Sequence, residues 1–193
     1  MFGTGRRFHR IETPRLSLRP VSAADVPALV PAIGNYDVVR WLGRVTYPYR
    51  TADAEHFVAA NADKAGRVWF VHDASGLVGG ISIDGELGYW FRREVWGQGY
   101  AVEAAAAAIE AHFADPRAGH LPSGHFPGND RSRRVLEKLG FRRAGTRIVA
   151  ARALGQQVES LAYALTRTDW RERRRALSPA PDCATGSPQG ASR

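Results

Sequence analysis

Hydrophobic positions along this chain follow two different periods. Residues 68–91 form three short apolar runs separated by turns at 73–76 and 84–85, which is typical of antiparallel strands. On both sides of this block, apolar positions with helical spacing alternate with further short strand-like runs. We predict helices over 26–33, 52–64, about 100–113 and 130–139, and strands over 16–19, 68–72, 77–83, 86–91, 120–126, 141–151 and 158–166.

This order of elements predicts an α+β domain. A strand and two helices precede the three-strand block, so we expect a mixed, mostly antiparallel central sheet flanked by helices. A chain of 193 residues, 44% of them hydrophobic, has the size of one such domain. We expect that domain to span 11–175, after a flexible arm at 1–10 and before a disordered tail at 176–193, where small, polar and proline residues predominate.

The composition excludes several classes of protein. No run of about 18 apolar residues could span a membrane, and no apolar signal-peptide block follows the basic N-terminus. Cys183 is the only cysteine, which excludes an intramolecular disulfide, and no histidine–carboxylate cluster has metal-ligand spacing. We therefore predict a cytoplasmic protein that binds no membrane and no metal.

The net charge of +8 comes almost entirely from arginine, since Lys64 and Lys138 are the only lysines. Guanidinium groups suit phosphates and carboxylates, so this charge favours an anionic ligand. Nucleic-acid binding through the arginine-rich run at 171–175 is a weaker alternative, because no helix-turn-helix, zinc-finger or RNA-binding signature accompanies that run.

The stretch VWGQGYAVEAAAAAIEAHF, at 95–113, places two glycines directly before the most helix-prone segment. Glycine costs about 1 kcal/mol relative to alanine inside a helix, so a backbone requirement is indicated. A strand, a glycine turn and the unpaired amides of a helix start together form an anion site; the alternative is a plain tight turn. The P-loop lysine and the third glycine of a dinucleotide fingerprint are both missing. The expected amide donors are Gly97, Gln98, Gly99, Tyr100 and Ala101.

The residues GELGYWFRREVWGQGYAVEA, at 85–104, resemble the acetyl-CoA loop of the GCN5-related N-acetyltransferase (GNAT) superfamily, and more narrowly its RimJ/RimL-like branch. The superfamily pattern is Gln/Arg-x-x-Gly-x-Gly/Ala, with Trp96 here in the first position and Ala101 in the last. Three further blocks agree in their proper order: IETPRLSLRP, NDRSRRVLEKLGF and YALTRTDW. The resemblance covers roughly 11–170 and departs at GHLPSGHFPGN, where the branch has a regular strand.

This resemblance implies an N-acetyltransferase that uses acetyl-CoA as co-substrate and transfers acetyl directly to a primary amine. The acceptor would be a protein N-terminus or a small molecule. It also implies catalytic roles for Glu86, as base toward the amine, and for Ser132, as acid toward the departing thiolate. Beside the glycine turn, the residues that it implies for acetyl-CoA binding are Tyr89, Phe91, Trp96 and Asn129.

Several alternatives stay open on the sequence. Glu86 is also typical of a surface hairpin, Ser132 of an early helical turn and Asn129 of a helix cap, while His125 is another candidate base. One of Arg133 and Arg134 would reach the CoA phosphates and the other would lie on a solvated face, and the sequence does not say which. A set of aromatic residues near the first helices would either wall the acceptor site or pack in the core: Tyr36, Trp41, Tyr47 and Tyr49. A non-catalytic acyl-CoA sensor is the alternative function, and we expect a monomer or homodimer.

Overall fold

Five antiparallel strands form the N-terminal sheet in the computed structural model, which describes residues 10–177. Their order across the sheet is the order along the chain. Gly85, with φ of 85°, makes the tight turn that the sequence predicted before the fifth strand. The strands are β1 (Ile11–Glu12), β2 (Ser17–Pro20), β3 (Val68–Asp73), β4 (Gly76–Ile83) and β5 (Leu87–Phe91).

Three more strands form a second sheet: β6 (Leu121–His125), β7 (Arg142–Ala151) and β8 (Gln156–Leu165), in the order β6-β8-β7. The proline-containing segment is thus a regular strand, paired with β8 from Leu121 to His125. Pro122 is accommodated because β6 lies at the edge of its sheet, where a missing backbone donor is tolerated.

The predicted α+β class is confirmed. The central sheet was expected to be one sheet, and the structure has two, which separate between β5 and β6. These strands end their respective sheets, and within residues 10–177 no backbone ladder joins them. Ser123 bridges the division by donating its hydroxyl to the Leu87 carbonyl at 2.9 Å. Every observed strand pair is antiparallel.

Helices cover both faces of the N-terminal sheet. Trp69 on β3 belongs to a large apolar cluster on one face and Phe70 to a smaller cluster on the other, which explains why the first four residues of this strand are all apolar. Ala104 and Ala108 have no exposed surface, so the alanine-rich helix lies close against the sheet. The helices are α1 (Val26–Ile33), α2 (Tyr36–Val39), α3 (Thr51–Asn61), α4 (Tyr100–Phe113), α5 (Asp130–Lys138) and α6 (Arg167–Leu177).

The pattern analysis did not predict α2 or α6. Helix α6 is anchored by Trp170, which is 4% exposed and donates its indole N–H to Glu110 at 2.9 Å. Because α6 continues to Leu177, the start of the predicted tail at 176 is helical. Residues 1–9 and 178–193, which hold most of the predicted arm and tail, lie outside the described residues.

None of the helices between residues 10 and 177 is long and apolar enough to cross a membrane.

Candidate functional site

A cleft of about 1090 Å³ opens where the two sheets separate. Its wall includes residues of both sheets, of α3 and α5, and of the turn that begins α4. All of the predicted site residues except Gln98 line it. They are Glu86, Tyr89, Phe91, Trp96, Gly97, Gly99, Tyr100, Ala101, Asn129 and Ser132.

The β5 strand presents backbone groups to this division between the sheets. The Arg92 amide donates to the Val78 carbonyl at 2.9 Å on the β4 side, and the Leu87 carbonyl accepts from Ser123 on the β6 side. Backbone groups alternate sides along a strand, so those of Tyr89 and Phe91 also face β6. The Phe91 carbonyl accepts the Trp96 indole N–H at 2.8 Å, which fixes Trp96 beside the cleft.

The glycine turn places unpaired amides at the start of α4. Gly97 and Gly99 both have φ of 82°, a left-handed conformation that glycine adopts without strain, and Gly99 caps the helix. Within residues 10–177, the amides of Gly97, Gly99, Tyr100 and Ala101 have no hydrogen-bond acceptor. The Gln98 amide instead donates to the Val95 carbonyl at 3.4 Å. Four donors at the positive end of a 14-residue helix suit a phosphate.

Arg15 supports this turn from a distant part of the chain. It donates to the Gln98 carbonyl at 2.9 Å and its guanidinium lies 4.8 Å from the centre of the Tyr100 ring. It also pairs with Glu103 at 2.6 Å. Sequence reasoning missed Arg15, because its role depends on contacts with residues more than 80 positions away.

Tyr89 and Ser132 form a hydroxyl pair across the cleft, with their oxygens 2.9 Å apart. The Tyr89 hydroxyl is also 3.3 Å from the Ser132 carbonyl, to which it can donate. Burial raises the pKa of Tyr89 above its ordinary value, so this phenol keeps its proton at neutral pH. Ser132 is held in turn by Asn129, whose side-chain oxygen accepts from the Ser132 amide at 3.2 Å. The prediction that Asn129 caps α5 is therefore confirmed.

Glu86 precedes β5 and is paired with two guanidinium groups. Arg147 of β7 donates to its Oε2, and Arg44 lies 3.5 Å from its Oε1. The Glu86 side chain is 27% exposed, so it remains accessible from the cleft. Neither arginine was predicted, because neither is near Glu86 in sequence.

The four aromatic residues expected at the acceptor wall divide into two groups. Trp41 and Tyr49 line the cleft, and burial raises the pKa of Tyr49 to about 12. Tyr36 and Tyr47 lie outside the cleft wall and pack edge-to-face, with ring centres 5.1 Å apart.

His125 lines the cleft, but its environment argues against a role as base. Its Nδ1 donates to the Phe126 carbonyl at 2.9 Å, and its ring packs 5.4 Å from that of Tyr163. The remaining nitrogen, Nε2, is buried from solvent and has no partner within residues 10–177. An amine in the cleft therefore has no open path to it.

Some of the basic residues of α5 and α6 face the cleft, and others form contacts that stabilise the fold. Arg131 lies 4.6 Å from the Trp96 ring centre, and Arg134 lines the cleft. Arg133 pairs with Asp130 and Glu137 on its own helix. In α6, Arg173 donates to the Lys138 carbonyl and Arg174 to Glu110, so half of the arginines in the run at 171–175 serve the fold.

Among the residues that the structure describes, no group of three or more histidine, cysteine or acidic residues could hold a metal ion. Cys183 lies outside the described residues.

Comparison with known proteins identifies this architecture. The family model described as an acetyltransferase (GNAT) domain matches residues 15–142. An uncharacterized N-acetyltransferase, YoaA of Bacillus subtilis (strain 168), is 26% identical over 151 residues, which are 72% of this chain and 85% of YoaA.

Solved structures agree. An acetyltransferase (GNAT family) from Bacillus anthracis superimposes with a TM-score of 0.71 and 25% identity, over 81% of this chain and 98% of that one. Mycobacterium smegmatis RimJ, in complex with CoA-disulfide, has a TM-score of 0.70 over 83% of this chain and 88% of its own, and its 21% identity makes this a likeness of fold. Because the family model covers more than half of the sequence, the chain belongs to the GNAT acetyltransferase family.

Proposed function

We propose that this protein is an N-acetyltransferase that binds acetyl-CoA and a primary amine together and transfers the acetyl group directly. Members of its family transfer acetyl from acetyl-CoA. The observation that carries the proposal is the set of unpaired amides at Gly97, Gly99, Tyr100 and Ala101, which open into the same cleft as Glu86 and the Tyr89–Ser132 pair.

The chain fits the donor in two places. The unpaired amides before α4 suit its pyrophosphate, supplemented by Arg131 and Arg134. The Tyr89 carbonyl and the Phe91 amide, which face the division between the sheets, suit the amides of its pantetheine arm. The M. smegmatis RimJ complex with CoA-disulfide shows that a protein of this fold holds CoA.

Glu86 then removes a proton from the acceptor, and the hydroxyl pair of Tyr89 and Ser132 delivers a proton to the leaving group. Glu86 takes a proton from the acceptor amine, directly or through one water, and the amine nitrogen forms a bond to the acetyl carbon. The amide of Tyr89 is a candidate donor to the oxyanion. As the carbon–sulfur bond breaks, Ser132 gives its proton to the thiolate, while Tyr89 keeps its own proton and donates a hydrogen bond to the serine oxygen across the 2.9 Å contact. Solvent water returns a proton to Ser132, and takes the amine's proton from Glu86, once the products have left the cleft.

We place the protein within the RimJ/RimL-like part of the family, on the strength of the four sequence blocks. A cytoplasmic location and a monomeric or dimeric state stay predictions.

The test combines calorimetric titration with acetyl-CoA and a thiol-release assay against a panel of amines and N-terminal peptides. We expect binding, and release that depends on the acceptor. Binding without release for any amine would support the sensor function instead, and absence of binding would reduce the glycine segment to a structural turn.

A further inference from the structure

The charges around Glu86 distinguish one kind of acceptor from others. Arg44 and Arg147 are paired with this carboxylate, and Arg152 lines the same cleft, so three guanidinium groups belong to the part of the wall that carries Glu86 and its partners. We propose that the acceptor is an amine that also carries a carboxylate: its ammonium group faces Glu86 and its carboxylate binds Arg44 and Arg152. This inference rests on the proposed function and names its substrate class.

The backbone brings these arginines together. The loop that carries Arg44 is fastened to the end of β7, because the Arg152 amide donates to the Gly43 carbonyl at 3.1 Å. A Cβ atom at Gly43 would lie 3.1 Å from the Ala150 carbonyl, so glycine permits this close approach. Arg44 and Arg152 therefore lie on two segments that meet at the end of β7, and Arg147 lies earlier in β7 itself.

The three arginines differ in how firmly they are engaged. Arg147 donates to Glu86 and packs over Gly124, where an added Cβ would be 3.7 Å from its guanidinium. Arg44 is only loosely paired, at 3.5 Å, and its side chain is 83% exposed. Arg152 has no side-chain partner within residues 10–177. Arg147 thus orients Glu86, while Arg44 and Arg152 remain available to a ligand.

Other acidic residues of the cleft do not neutralise this pair. Asp84 is paired with Lys64 at 2.9 Å and with Arg67 at 3.5 Å. Asp53 accepts from the Arg50 amide at 2.8 Å and so serves the start of α3. The available positive charge near Glu86 is therefore not balanced from within the wall.

A carboxylate is the anion that this arrangement suits best. Guanidinium forks bind carboxylates with two parallel, charge-assisted hydrogen bonds, and Glu86 supplies the matching negative charge for an ammonium group. A free amino acid and a peptide with an acidic N-terminal residue share this combination of charges. An amine without a carboxylate would leave Arg152 without a partner and Arg44 with only its 3.5 Å contact to Glu86.

The experiment compares thiol release for acceptors in matched pairs. One series pairs each L-amino acid with its amide, and a second pairs Asp-initiated with Asn-initiated peptide amides, so the two series distinguish the free amino acid from the acidic N-terminus. The variants are Arg44→Ala/Arg152→Ala and, as the control, Arg171→Ala, which removes an exposed arginine outside the cleft.

We expect the double variant to lower kcat/KM for the anionic member of a pair about tenfold to a hundredfold more than for the neutral member, the range for charge-assisted hydrogen bonds. Any effect of losing Arg44 on Glu86 applies to both members and cancels in this comparison. For each acceptor, kcat/KM of the variant is divided by kcat/KM of the unmodified protein. An amino acid and its amide differ in the pKa of their amines, and this difference cancels in the ratio because the same acceptor is used with both proteins. Arg171→Ala should change neither ratio.

Two results would overturn the inference and are distinguishable. Equal release from neutral and anionic acceptors, with ratios unaffected by the double variant, would reject the carboxylate while leaving the acetyltransferase intact. Bound acetyl-CoA with no release from any acceptor would reject the acetyltransferase proposal itself, and this inference with it.

Discussion

At the scale of single residues, Glu86 is the candidate base because its carboxylate lines the cleft directly before β5, the strand that carries Tyr89 of the hydroxyl pair. Glu86→Gln keeps its size and removes its charge. We expect kcat to fall about a hundredfold or more, as for loss of a general base, with the acetyl-CoA dissociation constant unchanged. Steady-state kinetics and calorimetry measure the two quantities.

The matched control is Asp84→Asn, which neutralises a carboxylate two residues earlier that is paired with Lys64. Its kcat should stay close to that of the unmodified protein. A parallel loss of turnover and of acetyl-CoA affinity in Glu86→Gln would assign Glu86 a structural role instead.

The Tyr89–Ser132 pair acts as one unit in the proposed mechanism, so its variants should not be additive. We expect Ser132→Ala to lower kcat about a hundredfold and the double variant with Tyr89→Phe to be no slower than the slower single variant. Single-turnover rates measure this coupling. Independent, multiplying losses would show that the two hydroxyls do not act as one hydrogen-bonded unit.

At the scale of elements, the glycine turn and α4 make a prediction about binding. Gly99→Val forces a β-branched residue to φ of 82° at the start of α4, and its Cβ would lie 3.5 Å from the Arg15 guanidinium that supports the turn. We expect acetyl-CoA affinity to fall at least about tenfold because the phosphate can no longer approach the backbone. Calorimetric titration of the purified variant measures this affinity.

Its control is Gly76→Val, at φ of 113° in the β3–β4 turn and outside the cleft wall. Both variants should lose about 1–2 kcal/mol of unfolding free energy to backbone strain. Only Gly99→Val should lose acetyl-CoA; equal affinity in the two variants would mean that the turn does not bind the donor.

Elements with local signals could be predicted from the sequence, and those made by distant contacts could not. Helix α4 follows from its glycines and alanines, and α5 from its Asn129 cap. Helix α6 has a strongly polar sequence and is held by Trp170 and by arginine contacts to other helices, which no local pattern shows. Arg15 and Arg147 were missed at the site for the same reason, since their partners lie 83 and 61 residues away.

At the scale of the whole molecule, two tyrosines of the cleft make the free energy of unfolding of the protein depend on pH in the alkaline range. Burial raises the pKa of Tyr89, and burial followed by the charge of Asp53 raises that of Tyr49 to about 12. Both groups keep their protons longer in the folded than in the unfolded chain. Their contribution to the free energy of unfolding is therefore complete below the ordinary value of 10.0 and is lost as pH rises through the folded pKa values.

We expect the free energy of unfolding to decrease between pH 10 and 12, and to decrease less in a Tyr49→Phe/Tyr89→Phe variant. Urea denaturation at a series of pH values measures how steeply the free energy of unfolding falls with pH in each protein. Lysine titration is the same in both proteins, so the difference between their slopes reports the two tyrosines alone.

Tyr36→Phe/Tyr47→Phe is the matched control, because these two rings are 43% and 48% exposed. If the control reduced the slope as much as the cleft variant, titration of exposed phenols would govern the alkaline transition. A reduction confined to the cleft variant would show that the wall between the two sheets, where donor and acceptor are proposed to meet, is part of the cooperative core.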